Sequence, residues 1–184
     1  MAKTALVILA EGFEEIEAIG PVDFLRRAGV RVTVAGLKEL IVKGSRNVRL
    51  EADILLKDLK EMPDAVILPG GIPGATNLAG ASEVAALVRK MNAAGKIVAA
   101  ICAAPSAVLA PLGMLDGKKA TCYPGCESDF SNTTVPSIAS VVEDGNIITS
   151  RGPGTALEFA FTIAVRLAGK EMAETVRGKM LIPS

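Results

Sequence analysis

Three short runs, Ala5-Leu6-Val7-Ile8-Leu9, Ala65-Val66-Ile67-Leu68 and Ile97-Val98-Ala99-Ala100-Ile101, carry no polar side chain at all and are divided by segments of helical spacing. An uninterrupted apolar run bounded by turn residues reads as a strand buried on both faces, and such strands belong to parallel sheets sandwiched between helices. The spacing predicts a first strand over Thr4 to Leu9 and a helix from Glu14 to Ala28, with Ile16, Ile19, Val22 and Leu25 at helical intervals. Pro21 inside that helix should kink it or start a new turn, and Gly29 should close it before a second strand from Val30 to Ala35. Lys43 to Glu51, around Gly44-Ser45, reads as a small hairpin or an edge excursion. The strand over Ala65 to Leu68 runs through Pro69 into the glycine-rich loop Gly70-Gly71-Ile72-Pro73-Gly74.

Downstream, Ser82 is expected to cap a helix ending near Ala94, and Ile97 to Ile101 to form the next strand. Ile138 to Val142 and Asn146 to Thr149 flank Asp144-Gly145, a hairpin signal. Thr155 and Glu158 have the spacing of a capping box for a helix reaching about Leu167, and Glu171 to Lys179 reads as a last short helix. Strands alternating with helices predict an α/β doubly wound fold, a mostly parallel sheet with helices on both faces. With only five Phe, one Tyr and no Trp, its core must be built from aliphatic side chains.

The 184 residues suit one domain, expected to span residues 1–184. Twenty Lys and Arg against twenty Asp and Glu give no electrostatic reason to expect nucleic acid or an anionic membrane as partner. Three Cys do not make a disulfide framework, and no signal-peptide pattern is present, so the expected compartment is the reducing cytoplasm. The N-terminal apolar run is too short for a membrane span.

Chemistry concentrates at Cys102. The strand ending at Ile101 breaks at Cys102 into Ala103-Ala104-Pro105 and then the helical pattern Ser106 to Leu112, the sequence form of a nucleophile elbow. Free N–H groups at a helix start favour a thiolate, so the elbow is expected to lower the thiol pKa and leave the sulfur accessible. The chain contains no histidine, which excludes a Cys-His dyad or a Ser-His-Asp triad within one chain. In doubly wound sheets the ligand crevice lies at the carboxyl ends of the strands, which here carry the acidic segment Glu11 to Glu17, the Gly70-Gly71 loop and Cys102. The glycines let backbone N–H groups approach an oxyanion, and a buried, protonated carboxyl in the first helix would serve as proton carrier. Spacing leaves Glu14, Glu15 and Glu17 open for that role. Helix phase favours Glu17, near the stripe of Ile16, with Glu14 and Glu15 as first-turn charges stabilised by the helix dipole.

Other motifs carry less. Cys122 and Cys126 have a spacing that suits a metal or a disulfide, but no histidine or second pair completes a zinc site, so both read as free thiols and no metal is expected. The glycine loop lacks the Lys-Ser/Thr of a P-loop, which argues against a nucleotide cofactor. Taken without context, Cys102 would read as a small core residue and Glu17 as a solvated charge.

Five separated motifs, Ala5 to Ala10, Glu14-Glu15-Ile16-Glu17, Leu68-Pro69-Gly70-Gly71, Ala99 to Pro105 and Thr149 to Thr155, together resemble the ThiJ/PfpI superfamily, and within it the branch of Parkinson disease protein 7. The resemblance implies a flavodoxin-like sandwich, a homodimer, a reactive Cys102, a protonated Glu17 beside it, and oxyanion donors from the backbone of Gly71 and Ala103. It implies a glutathione-independent glyoxalase III-type or protein deglycase activity on 2-oxoaldehydes such as methylglyoxal, or on glycated groups, with a part in oxidative and carbonyl stress protection. The alternative is a redox sensor or chaperone governed by oxidation of Cys102 to a sulfinate. No cofactor is implied. Gly70, Tyr123, Arg27, Arg46 and Pro153 would line the pocket, with the arginines able to bind an anion, one of them from the partner chain. Three departures from relatives stand out: Ala103 replaces the histidine that follows the nucleophile in the protease-like branch, Tyr123 replaces a pocket histidine, and Gly44 replaces a peripheral cysteine.

Overall fold

The computed structural model describes residues 2–183. The chain enters through β1 (Thr4–Leu9), returns along α1 (Glu15–Arg27) to β2 (Arg31–Gly36), makes the hairpin β3 (Ile41–Lys43) and β4 (Arg49–Glu51), and adds β5 (Ile54–Leu55). It continues through β6 (Ala65–Leu68), α2 (Gly74–Ala79), α3 (Ser82–Ala93) and β7 (Ile97–Ile101) into wide helical turns at Pro105–Leu109. Then follow β8 (Lys119–Ala120), β9 (Val135–Pro136), β10 (Val141–Asp144), β11 (Ile147–Ser150), α4 (Ala156–Ala168) and α5 (Lys170–Lys179). Seven strands form the central sheet in the order β10-β11-β7-β6-β1-β2-β5, parallel throughout except for β10 against β11. The fold is the doubly wound sandwich that the alternating pattern predicts, of the flavodoxin-like kind that the resemblance implies.

Side-chain alternation divides the core in two. Ala5, Val7, Leu9, Ile67, Ala99 and Ile101 face α1, α4 and α5, where they meet Phe24, Leu25, Phe159 and Ile163. Leu6, Ile8, Val66, Leu68, Val98 and Ala100 face the other way onto Val84, Val88 and Met91 of α3. Both faces are dry, which is why these strands tolerate no polar residue. At the amino-terminal edge of the sheet the Asp64 carboxylate accepts from the Thr4 amide at 3.0 Å and from Lys96 Nζ at 2.6 Å, joining the starts of β1, β6 and β7. The Lys96 hydrogen bond, ahead of the others, holds the Asp64 pKa down at about 2. Among the described residues no helix is long and apolar enough to cross a membrane.

Pro21 lies buried inside α1, which continues through it as one element. Three local expectations need correction. The phase of α1 is different: Ile16 and Ile19 are exposed, whereas Glu17, Ala18, Pro21, Phe24 and Leu25 face inward. Ser82 is the first residue of α3 rather than its cap, which is Ala81, and its hydroxyl turns to Glu83 at 3.5 Å. The box of Thr155 and Glu158 does not form. The Thr155 hydroxyl accepts from the Gly152 amide at 3.1 Å and lies 2.7 Å from Ser150 Oγ, so it holds the turn before α4 together instead. After Cys102, the helical turns are of the wide kind in which the Ala110 amide reaches back five residues to Pro105, and Pro111 has no N–H to extend them.

Candidate active site

Cys102 sits where β7 ends, with φ of 65°, a left-handed conformation that costs a non-glycine residue about 1 kcal/mol and is held only where neighbours fix it. They do so on both sides: its amide donates to the Ser150 carbonyl at 2.9 Å and its own carbonyl accepts from the Tyr123 amide at 2.8 Å. The strained turn brings the sulfur onto the loop after β6. There Gly70 is a steric necessity, since a Cβ would lie 2.7 Å from Cys102 Cβ, 2.8 Å from Glu17 Oε2 and 3.0 Å from the Ala103 nitrogen. Gly71, at φ of 87°, packs so closely on the loop after β1 that a Cβ would come 2.4 Å from the Gly12 carbonyl oxygen. The two loops are joined backbone to backbone, with the Glu14 amide on the Gly70 carbonyl at 3.0 Å and the Gly74 amide on the Gly12 carbonyl at 3.2 Å.

Glu17 is fully buried beneath these loops. Its Oε2 accepts from the Gly70 amide at 2.8 Å, while Oε1 has no hydrogen-bond partner among the described residues. Burial, ahead of every other cause, pushes its pKa from 4.5 to about 7, against the stabilising hydrogen bonds of Cys102 and Gly70. Burial also pushes the Cys102 thiol up to about 12, helped by the charge of Glu17 and opposed by the backbone N–H groups of Gly71 and Ala103. The expected low thiol pKa and open sulfur are therefore overturned: Cys102 is buried, and desolvation outweighs what the elbow's N–H groups supply. Two anions do not share so dry a space, so the pair holds a proton that can pass from sulfur to carboxyl.

The three glutamates of α1's first turn do different work. Glu14 caps the helix, its Oε2 accepting from the Glu17 amide at 2.8 Å. Glu15 is buried rather than a solvated charge. It accepts from the Arg46 amide at 2.7 Å, the Val48 amide at 3.4 Å and Ser45 Oγ at 3.2 Å, which fastens the tip of the β3–β4 hairpin to the start of α1. Sequence reasoning missed this clamp. Its one trace in the sequence is Gly44, where a Cβ would lie 2.4 Å from Glu15 Oε1.

The remaining candidates divide. Tyr123 is half exposed and joins the site through its backbone and through its ring, which lies beside Gly152. Arg27 pairs with Asp23 at 3.0 Å at the far end of α1, about 15 Å along the helix from Glu17, so within one chain it does not approach Cys102. The Arg46 side chain is exposed at the hairpin tip. Pro153 lines a groove of about 640 Å³ with Ile16, Leu157 and Phe161. Cys122 and Cys126 are free thiols, and burial followed by the charge of Glu127 pushes Cys122 up to about 12.

Residues 3–166 match the DJ-1/PfpI family. The chain is 47% identical to Protein dj-1beta of Drosophila melanogaster, over 99% of this chain and 98% of that one. It is 36% identical to the glutathione-independent glyoxalase DJR-1.2 of Caenorhabditis elegans, over 95% of this chain and 94% of that protein. The solved structure of oxidized Toxoplasma gondii DJ-1 superposes with a TM-score of 0.96 at 37% identity, covering all of both chains. With its fold, its elbow cysteine and its match from the first strand into α4, the chain belongs to the DJ-1/PfpI family.

Proposed function

We propose that the protein is a glutathione-independent glyoxalase-type enzyme acting on small 2-oxoaldehydes such as methylglyoxal, with Cys102 as nucleophile and Glu17 as proton carrier. The observation that carries this reading is the divided carboxyl of Glu17: one oxygen is fixed by Gly70 N–H at the point where that loop crowds Cys102, and the other is buried and unpartnered, about 4.0 Å from where a Cβ on Gly152 would stand. A carboxyl titrating at about 7 gives and takes protons with equal ease near neutrality. Sulfur adds to the aldehyde carbon while its proton passes to the Glu17 carboxylate and on to the former carbonyl oxygen, giving a hemithioacetal. Glu17 then removes the remaining hydrogen of that carbon as a proton, and an enediol forms. Returning the proton to the neighbouring carbon leaves a thioester of the 2-hydroxy acid. Water cleaves the thioester, releasing the acid and restoring the thiol. The N–H groups of Gly71 and Ala103 stabilise the oxyanions on this path. The name of the Caenorhabditis elegans relative supports the reaction class.

Purified protein should consume methylglyoxal without glutathione, and Cys102→Ser should abolish it. Turnover by Cys102→Ser at the parent rate rejects the reading. The same N–H groups would also cradle a sulfinate on Cys102, the basis of the redox-sensor reading, and peptide mapping after mild peroxide tests it: oxygen addition confined to Cys122 or Cys126 excludes it. We infer further that two copies pair through α1, because Ile16, which lines the Pro153 groove, and Ile19 are both exposed on that helix. Phe24 and Leu25, the other large apolar residues of this helix, do not contribute to that face, as both are buried within the chain.

A further inference from the structure

Gly152 stands apart from the other glycines of the site. Gly70 and Gly71 are required by backbone that a side chain would strike, but a Cβ on Gly152 would find room. It would lie 3.4 Å from Cδ2 and 3.8 Å from Cε2 of Tyr123 and 4.0 Å from Glu17 Oε1, with nothing nearer beyond its chain neighbours. These are ordinary contact distances, so the space between the tyrosine ring and the unpartnered carboxyl oxygen is one methyl group wide. Nor does the backbone demand glycine, since φ of 167° and ψ of −168° are fully extended. Neither sterics nor conformation explains the missing side chain.

We propose that Gly152 is a specificity-determining residue, and that the methyl-sized gap it leaves receives the substituent on the ketone carbon of a small 2-oxoaldehyde. The proposal rests on the glyoxalase reading. A proton moved by Oε1 from the aldehyde carbon to its neighbour requires both carbons within reach of that oxygen. The substituent on the second carbon is then carried to the side of Oε1, where the Tyr123 ring closes the space. A hydrogen or a methyl group fits there, and a phenyl ring does not. The substrate class is accordingly glyoxal and methylglyoxal rather than aryl oxoaldehydes.

The test compares kcat/KM without glutathione for glyoxal, methylglyoxal and phenylglyoxal in the parent and in Gly152→Ala, with thermal melting to establish that the variant folds. The added methyl should lower the ratio of methylglyoxal to glyoxal turnover at least tenfold, whereas a merely structural role would slow both aldehydes alike. A folded variant with an unchanged ratio overturns the proposal while leaving the glyoxalase reading intact. The parent alone supplies a second measurement, needed if the variant does not fold: phenylglyoxal should be turned over at least tenfold less efficiently than methylglyoxal, and equal efficiency overturns the proposal. A parent that consumes none of the three overturns the glyoxalase reading and this proposal together.

Discussion

A carboxyl buried with one oxygen unpartnered leaves a thermodynamic signature as well as a chemical one. Because the Glu17 pKa rises from 4.5 to about 7, its protonated form favours the fold, a contribution complete below pH 4.5 and lost as the pH passes upward through 7. Glu17→Gln, neutral at every pH, should therefore be more stable than the parent near pH 8, by up to about 3 kcal/mol, and should gain nothing near pH 4. Denaturant melts at the two pH values measure this, and a gain that is larger at pH 4 rejects it. The same variant should lose about 10²- to 10⁴-fold in dicarbonyl turnover, the usual worth of a positioned proton carrier. Glu17 was only half legible in the sequence. The phase argument favours the glutamate that the fold buries under the Cys102 loops, but does so by placing it beside Ile16, and Ile16 is exposed while Glu17 points the opposite way, into the core. The thiol's pKa was not legible at all, because an elbow is visible in sequence and the dryness of its surroundings is not. Gly70→Ala tests that crowding: a Cβ 2.7 Å from Cys102 and 2.8 Å from Glu17 should displace the pair and abolish turnover, and full activity would contradict the packing described.

Elements report the same division between what patterns reveal and what only contacts decide. β1, β6 and β7 were legible because a strand buried on both faces must be apolar without interruption. The box at Thr155 was misread because a hydroxyl can serve either a helix end or the turn before it, and here Gly152 and Ser150 hold it. The β3–β4 hairpin was visible, but not what fastens it. Glu15→Ala should free its tip, so hydrogen exchange at the Arg46 and Val48 amides should accelerate at least tenfold while β1 and β7 stay protected. Uniform exchange across the chain would deny the clamp a local role. At the opposite edge, the depressed Asp64 pKa means its contribution is present above about pH 4 and is lost as the pH falls toward 2. Asp64→Asn should cost roughly 1 kcal/mol near neutrality, allowing for partial exposure, with parent and variant converging near pH 2. A difference that widens in acid would contradict the ion-pair origin.

At the scale of the whole molecule, the paired assembly inferred from α1 gives a direct measurement. The parent should sediment at about twice the chain mass at micromolar concentration, and Ile16→Glu, a charge placed on the exposed face, should sediment as a folded monomer. A parent that runs as a monomer removes the assembly. The loops that carry the site have a different lesson. The segment after β1 and the segment after β6 interlock so tightly that Gly12, Gly71 and Gly74 each leave no room for a side chain against the other loop. Neither loop can lengthen, shorten or be exchanged without its counterpart, so natural insertions should be tolerated at the surface turn of Asp144-Gly145 and refused here. Anyone transplanting this chemistry to another scaffold must move the two loops as a single graft, because a cysteine and a glutamate copied alone would arrive without the frame that makes them neighbours.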